Sequence, residues 1–256
     1  MFRFCLALII LSVSVFSEDR EISKLFSDKG ISGTIVIASL DGKTEYIHND
    51  ARSQKRTLPA STFKIPNTLI ALEEGLVKTD SQVIAWDSVK REFPEWNKNQ
   101  TLKTAFQYSC VWVYQRFAGQ IGTEKYRHYL EKLDYGNKRI DTNVTTFWLE
   151  GNFGISAQEQ VGFLRKLVLE NLPFAKSNID ILKKIMIVEE TNDYVLRAKT
   201  GWTARVTPQY GWYVGYVETK KVAWLFATNI DIKNQQDLVF RKDLTMAALR
   251  AKKIIQ

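Results

Sequence analysis

The chain has 256 residues, and 36 Lys and Arg against 28 Asp and Glu give it a formal net charge of +8. With 45% hydrophobic, 12% aromatic and 25% charged residues, it has the composition of a globular protein rather than a disordered or fibrous one, and its length suits one sizeable core. The basic residues are scattered rather than gathered in a block, which argues against nucleic acid as a partner.

The opening stretch "MFRFCLALIILSVSVFS", residues 1–17, combines Arg3, an apolar run from Phe4 to Leu11 and small residues near Ser17. It reads as a secretory signal cleaved near Glu18, because the run is short for a bilayer span; an uncut anchor is the alternative. Residues 18–256 are then expected to form a single exported domain, destined for the periplasm, with no stable membrane insertion. Cleavage removes Cys5 and leaves Cys110 alone, so no intramolecular disulfide is expected and Cys110 reads as a small core hydrophobe. His48 and His128 are far apart and have no Cys, Asp or Glu at ligand spacing, so no metal is expected.

The first element after the leader is "SGTIVIASLDGKTEYIHND", a β-hairpin turning at Asp41-Gly42. Helical periodicity comes next in "TLIALEEGLVK", "LKTAFQYSCVWVYQRFAGQIG", "TEKYRHYLEKL" and "SAQEQVGFLRKLVLE", the last with a Ser156 to Glu159 capping box. Three strand-like runs succeed them, "DYVLRAKTGW", "YGWYVGYVE" and "KVAWLFATNID", and then an amphipathic helix, "NQQDLVFRKDLTMAALRAKKII". The order predicts an α+β protein: an antiparallel sheet of about five strands flanked by terminal helices, beside an all-helical lobe. A cleft is expected where sheet and lobe meet.

Within "PASTFKIPNTL", Ser61 precedes Lys64 by one helical turn in a run that is otherwise apolar or small. Pro66 falls in the first turn, where a missing N–H costs little, so Ser61 sits at the helix N-terminus. Ser61, Lys64 and Thr68 share a polar stripe on a helix that is apolar elsewhere, which marks a buried helix. Burial disfavours an ammonium, leaving Lys64 a neutral base that can also capture carbon dioxide as a carbamate. Ser61 is then an activated nucleophile that needs no histidine.

Other motifs accompany this one. "AKTGW" places Lys199, Thr200 and Gly201 at a strand end, where glycine lets a ligand approach the backbone closely. "YSCVWVY" supplies Ser109 and Val111 on a stretch that reads as helical, and "DYGN" supplies Tyr135, Gly136 and Asn137 at a helix stop. In this order, S-x-x-K, S-x-V, YGN and KTG are far more specific together than singly.

The pattern resembles the class D, or oxacillinase-type, serine β-lactamases over essentially the whole mature chain, including "FWLEG", "ISAQEQ" and "GWYVGYVE". The resemblance implies the serine β-lactamase and penicillin-binding transpeptidase fold and a small-molecule β-lactam substrate. It implies no metal or organic cofactor, only carbon dioxide or bicarbonate as a carbamate on Lys64. Ser61 is implied to form the acyl-enzyme, with carbamylated Lys64 as general base for acylation and deacylation and the Trp148 indole steadying the carbamate. Ser109, assisted by Lys199, is implied to relay a proton to the lactam nitrogen, while Val111 packs over the carbamate. Backbone N–H groups of Ser61 and Trp202, the latter beside Gly201, are implied to form an oxyanion hole. Thr200 and Arg241 are implied to hold the substrate carboxylate, and Tyr135 to Asn137 to shape the cleft. The loop Thr203 to Tyr210 is expected to influence substrate choice. A β-lactam sensor acylated without turnover and a D-Ala-D-Ala transpeptidase or carboxypeptidase remain alternatives, and the oligomeric state stays open.

Overall fold

The computed structural model describes residues 18–141 and 143–256; the signal reading of residues 1–17 falls outside the described residues. Helix α1 (Arg20–Asp28) leads into β1 (Gly33–Ser39), β2 (Glu45–His48) and the short α2 (Asp50–Ser53). The chain then builds α3 (Lys64–Glu73), a small β3 (Val83–Ile84) and β4 (Gln100–Thr101) pair, α4 (Leu102–Gln107), α5 (Val111–Leu133), α6 (Ala157–Val168) and α7 (Lys176–Ile185). It returns through β5 (Ile187–Glu190), β6 (Tyr194–Trp202), β7 (Gln209–Thr219) and β8 (Ala223–Ile232) and ends in α8 (Phe240–Ala251).

The main sheet is antiparallel in the order β2-β1-β8-β7-β6-β5. It has six strands among the described residues, one more than expected. The addition is β5, "IVEE", whose four residues are too few for a clear alternation and lie directly after α7. β1 is buried along its whole length and β7 is buried at all but its ends, because the sheet is covered on both faces. On one face lies the helical lobe, with Ile65, Leu69, Leu164 and Val214 in one apolar cluster. On the other, α1 and α8 contribute Ile22, Phe26, Leu244 and Leu249 to a second cluster with Ile37 and Phe226. This two-sided burial explains why the strands read as continuous apolar runs.

One correction concerns the helical lobe. The run from Leu102 to Gly122 is two helices, separated at Ser109, whose φ is +54°. The apolar pattern carries across that break because residues on both sides of it, Phe106 and Trp112, are buried. Gly122, at φ +78°, interrupts α5 once more, a conformation that glycine adopts readily.

The edge of the sheet nearest the lobe is only partly paired. β5 pairs with β6 only from Ile187 opposite Arg197 to Glu190 opposite Val195, and Ala198 N–H closes the contact on Met186 O at 3.0 Å. Beyond Ala198 the β5 partner has ended, so Lys199 to Trp202 run along an edge that faces the helical lobe. β6 and β7 also approach very closely at Gly215: a Cβ there would lie 2.1 Å from Arg197 O and 2.7 Å from Ala198 Cα. Gly215→Ala is therefore expected to destabilise the protein by about 1–3 kcal/mol through overpacking against backbone. The urea unfolding midpoint, compared with that of the parent, measures it.

Candidate active site

Ser61 lies in a single 3-10 turn, Ala60–Phe63, that runs directly into α3. The turn is held from outside. Ala60, at φ +48°, donates its N–H to Trp148 O at 3.0 Å, and Thr62 Oγ1 donates to Pro59 O at 2.8 Å. A non-glycine residue with positive φ costs on the order of 1 kcal/mol and persists only where its surroundings fix it. Behind the turn, the Phe63 ring packs on Trp148, Phe147, Phe153 and Tyr135 with centroids 5.1 to 5.8 Å away. The Ser61 turn is thus set on an aromatic floor.

Lys64 is fully buried, and its Nζ donates to Ser61 Oγ at 3.0 Å. The Tyr114 ring faces the amine 5.0 Å away, and the Tyr114 hydroxyl is shared with Thr68 at 2.8 Å. Burial pushes the lysine down to about 7, with the positive charge of Arg205 acting in the same direction. No carboxylate contributes to holding its proton. Trp148 is completely buried as well, and its Nε1 has no hydrogen-bond partner. An orphan indole N–H in a dry site implies a missing acceptor, since buried donors are almost always paired.

Lys199, on β6, is 4% exposed and donates to Ser109 Oγ at 2.5 Å and to Thr200 O at 3.1 Å. Burial, then the positive charges of Lys64 and Arg241, push it well below the usual lysine range. Ser109 reaches Lys199 because the left-handed kink between α4 and α5 turns it out of helical register; it is not the helix serine that periodicity suggests. Nothing in the sequence marked the kink, since no glycine or proline occurs from Leu102 to Val111.

A cleft of about 710 Å³ opens between the sheet edge and the helical lobe, lined by Ser61, Ser109, Val111, Thr200, Gly201, Trp202 and Arg241 among others. At Gly201 the strand presses on the start of the Ser61 turn: a Cβ there would lie 2.9 Å from Pro59 O and 3.1 Å from Thr62 Cγ2. Arg241 donates through Nη1 to Gly201 O and through Nε to Leu238 O, both at 2.7 Å. Its burial, with no carboxylate beside it, brings it down to about 10. Arg91, Arg205 and Arg241 line the cleft beside one carboxylate, Glu92, and this excess of positive charge suits it to an anion.

The Tyr135, Gly136 and Asn137 motif stands elsewhere. Tyr135 is fully buried, and none of the three lines the cleft. Gly136 has φ +57°, and a Cβ there would lie 2.3 Å from Gly154 O, while Asn137 is clamped to Gly154 and Asn152 by hydrogen bonds of 2.6 to 3.1 Å. Tyr135 braces the Ser61 turn from behind, through its ring against Phe63 and through Gln160, whose Nε2 donates to Thr62 Oγ1 at 3.0 Å. A direct cleft-shaping role is thus corrected to support of the turn from behind.

Sequence reasoning also missed one wall of the cleft. Phe93, Trp96, Tyr108 and Trp112 line it, with Arg205 from the loop after β6. Trp112 Nε1 donates to Trp96 O and Trp96 Nε1 to Tyr108 O at 3.0 and 2.9 Å. These aromatics come from an irregular segment and two helix ends, so no periodicity groups them. Cys110 is buried, as expected, and burial raises its thiol to about 11. His48 is satisfied by Glu18 and Ser23. Among the described residues no helix is long and apolar enough to cross a membrane, and no cluster of His, Cys, Asp and Glu could hold a metal ion.

Comparison with known proteins gives the class first. The model of the penicillin binding protein transpeptidase domain family matches residues 33–256. Individual relatives narrow it. The β-lactamase OXA-48 of Klebsiella pneumoniae is 41% identical over 240 residues, covering 94% of this chain and 91% of its own. The β-lactamase OXA-20 of Pseudomonas aeruginosa is 44% identical over 237 residues, covering 91% and 88%. Among solved structures, the class D β-lactamase YbXI from Nostoc superposes with a TM-score of 0.89 at 43% identity, covering 91% of this chain and 98% of that one. FUS-1 (OXA-85), a class D β-lactamase from Fusobacterium nucleatum subsp. polymorphum, gives 0.91 at 36% identity, covering 94% and 100%. The chain belongs to the class D β-lactamases.

The buried lysine carries a stability signature. Between its native value of about 7 and the ordinary value of 10.5, the unfolded chain binds more protons at this site than the folded one, so folding strengthens as pH rises through that window. In carbon dioxide-free buffer, Lys64→Met is expected to be more stable than the parent by roughly 4 kcal/mol below pH 7, with the gap closing toward pH 10.5. Urea titrations of both proteins at several pH values measure the gap.

Proposed function

We propose that the chain is an exported hydrolase that opens the β-lactam ring of penicillin-type antibiotics through an acyl-enzyme on Ser61. The observation that carries this reading is the 3.0 Å contact between Ser61 Oγ and a fully buried Lys64 amine, because a lysine lowered to about 7 can take a proton at neutral pH. Ser61 Oγ then attacks the lactam carbonyl, and backbone N–H groups of Ser61 and Trp202 stabilise the developing oxyanion. Thr200 and Arg241 hold the substrate carboxylate, the anion that the excess of basic groups lining the cleft suits. Ser109, 2.5 Å from Lys199 Nζ, is suited to deliver a proton to the departing lactam nitrogen.

Water must then release the acyl group, which needs a base of its own. Bound as a carbamate on Lys64 Nζ, carbon dioxide supplies an anionic oxygen to act as that base, in acylation and in deacylation alike. The surroundings suit it: the amine is dry, no carboxylate competes for it, and the orphan Trp148 Nε1 offers a donor to a carbamate oxygen. Val111, in the cleft wall, limits water access to the same point. No metal or organic cofactor is required. Export rests on the character of residues 1–17.

Ser61→Ala and Lys64→Ala are each expected to lower turnover of a chromogenic cephalosporin by at least about 1,000-fold, the loss typical of removing a nucleophile or its base. Lasting adduct mass on the parent without product release would favour the sensor alternative instead. Below about pH 7 in carbon dioxide-depleted buffer, activity is expected to fall and bicarbonate to restore it, because only the neutral amine captures carbon dioxide. Trp148→Phe keeps a ring but deletes the donor, and is expected to raise the bicarbonate needed for half-maximal activity by about 10- to 100-fold. A ¹³C carbamate resonance, present in the parent and absent from Lys64→Ala, provides a readout independent of turnover.

A further inference from the structure

Arg241 reaches the cleft from the start of α8 by crossing β7. It crosses at Gly211, where a Cβ would lie 2.6 Å from Arg241 Cδ and 2.9 Å from its Cγ, so the stem passes only because that residue has no side chain. Gly211 stands opposite Trp202 in the register of β6 with β7. Past it, Arg241 Nη1 donates to Gly201 O and Nε to Leu238 O, both at 2.7 Å. The guanidinium is thus held by backbone carbonyls, in two bonds that do not use its Nη2 donors.

Gly201 O and Trp202 N–H belong to one planar peptide and point in opposite directions across β6. Two neighbouring bonds show which way each faces. Ala198 N–H meets Met186 O on the β5 side, and Thr203 N–H meets Tyr210 O on the β7 side, each at 3.0 Å. Backbone groups alternate along a strand, and Trp202 lies four residues from Ala198, so its N–H leaves the sheet on the edge that β5 does not cover. Gly201 and Trp202 line the cleft there with Ser61, and a Cβ on Gly201 would lie 2.9 Å from Pro59 O. Arg241 therefore grips one end of a peptide whose other end opens on the cleft beside Ser61. A charged donor on the carbonyl draws electrons toward its oxygen and leaves the N–H more positive, because hydrogen bonds in a chain polarise one another.

We propose that Arg241, seated over Gly211, fixes and polarises the Gly201–Trp202 peptide and so strengthens the Trp202 N–H as a donor to the oxyanion of the reaction; this rests on the hydrolase function. Arg241 acts here through the peptide, and Gly211 acts through Arg241, so both are positioning residues for the Trp202 donor. The Nη2 donors take no part, which leaves them to the substrate carboxylate.

The test uses phenylboronic acid, which carries no carboxylate. Ser61 Oγ adds to the boron as its proton passes to Lys64, giving a tetrahedral anionic adduct that calls on the oxyanion donors alone; calorimetry gives its affinity. Arg241→Met keeps an apolar stem but deletes the donors, and is expected to weaken the adduct about tenfold, a fraction of the roughly 100- to 1,000-fold cost of deleting an oxyanion donor outright. Gly211→Ala keeps the positive charge but displaces the stem from Gly201 O, and is expected to weaken it about fivefold. The double variant is expected to match Arg241→Met, because nothing is left for the added methyl to displace. A spectroscopic reading needs no Gly211 variant. The chain has two Gly-Trp peptides, Gly201–Trp202 and Gly211–Trp212, so carbonyl-¹³C glycine with ¹⁵N tryptophan isolates their amide signals, and the Trp202 N–H proton of the adduct is expected to move upfield in Arg241→Met. Affinity within about twofold of the parent in Arg241→Met, loss there but none in Gly211→Ala, losses that multiply in the double variant, or a Trp202 signal that stays in place each overturn the inference. Failure of the hydrolase function looks different: the parent itself then forms no adduct and hydrolyses no benzylpenicillin.

Discussion

A lysine held out of water beside a serine, with no carboxylate to keep its proton, is the constraint on which this structure turns. Removing an ammonium from water without an ion-pair partner is among the costlier arrangements a core can hold. Here the molecule relieves the cost by lowering the affinity of Lys64 for its proton. On the proposed mechanism chemistry comes directly from that relief, because the same desolvation that disfavours the charge leaves the nitrogen free to act as a base and to take up carbon dioxide. Stability and reactivity at this position are two readings of one burial.

The rest of the lobe serves to keep that position dry and still. Phe63 and the rings around it seal the floor, the Ala60 to Trp148 bond fixes the turn, and Gln160 ties the turn to the Tyr135 motif behind it. On the opposite wall the sheet edge supplies what the helices lack. β6 continues past the end of β5, so its last residues offer a backbone edge and side chains to the cleft in place of another strand. The short edge partner matters for this reason, since a longer β5 would pair with the β6 residues that line the cleft.

Charge shapes the cleft in the same way. Burial weakens the hold of Lys64, Lys199 and Arg241 on their protons, and Lys199 is lowered further by the other two. On the proposed function, the carboxylate of the substrate balances the excess of positive charge lining the cleft. The net charge of +8 says little of this by itself, because most of the basic residues are solvated on the surface. Placement of Arg91, Arg205 and Arg241 along the cleft matters more than the total.

Much of this was legible in the chain. The S-x-x-K spacing, with Pro66 in the first turn and apolar neighbours on every other side, determined that Ser61 and Lys64 would share a buried helix face, since helical geometry is local. The strand and helix runs gave the α+β class for the same reason, and the ordered motifs gave the family. What the tertiary structure alone decided were features made by contacts between distant segments. Ser109 left its helix to meet Lys199, 90 residues on. The Tyr135 motif turned inward to brace the Ser61 turn, the indole of Trp148 was left without an acceptor, and Phe93, Trp96, Tyr108 and Trp112 met to wall the cleft. No pattern within a short window reports any of these, because each depends on which surfaces the folded chain brings together and which polar groups it leaves unpaired.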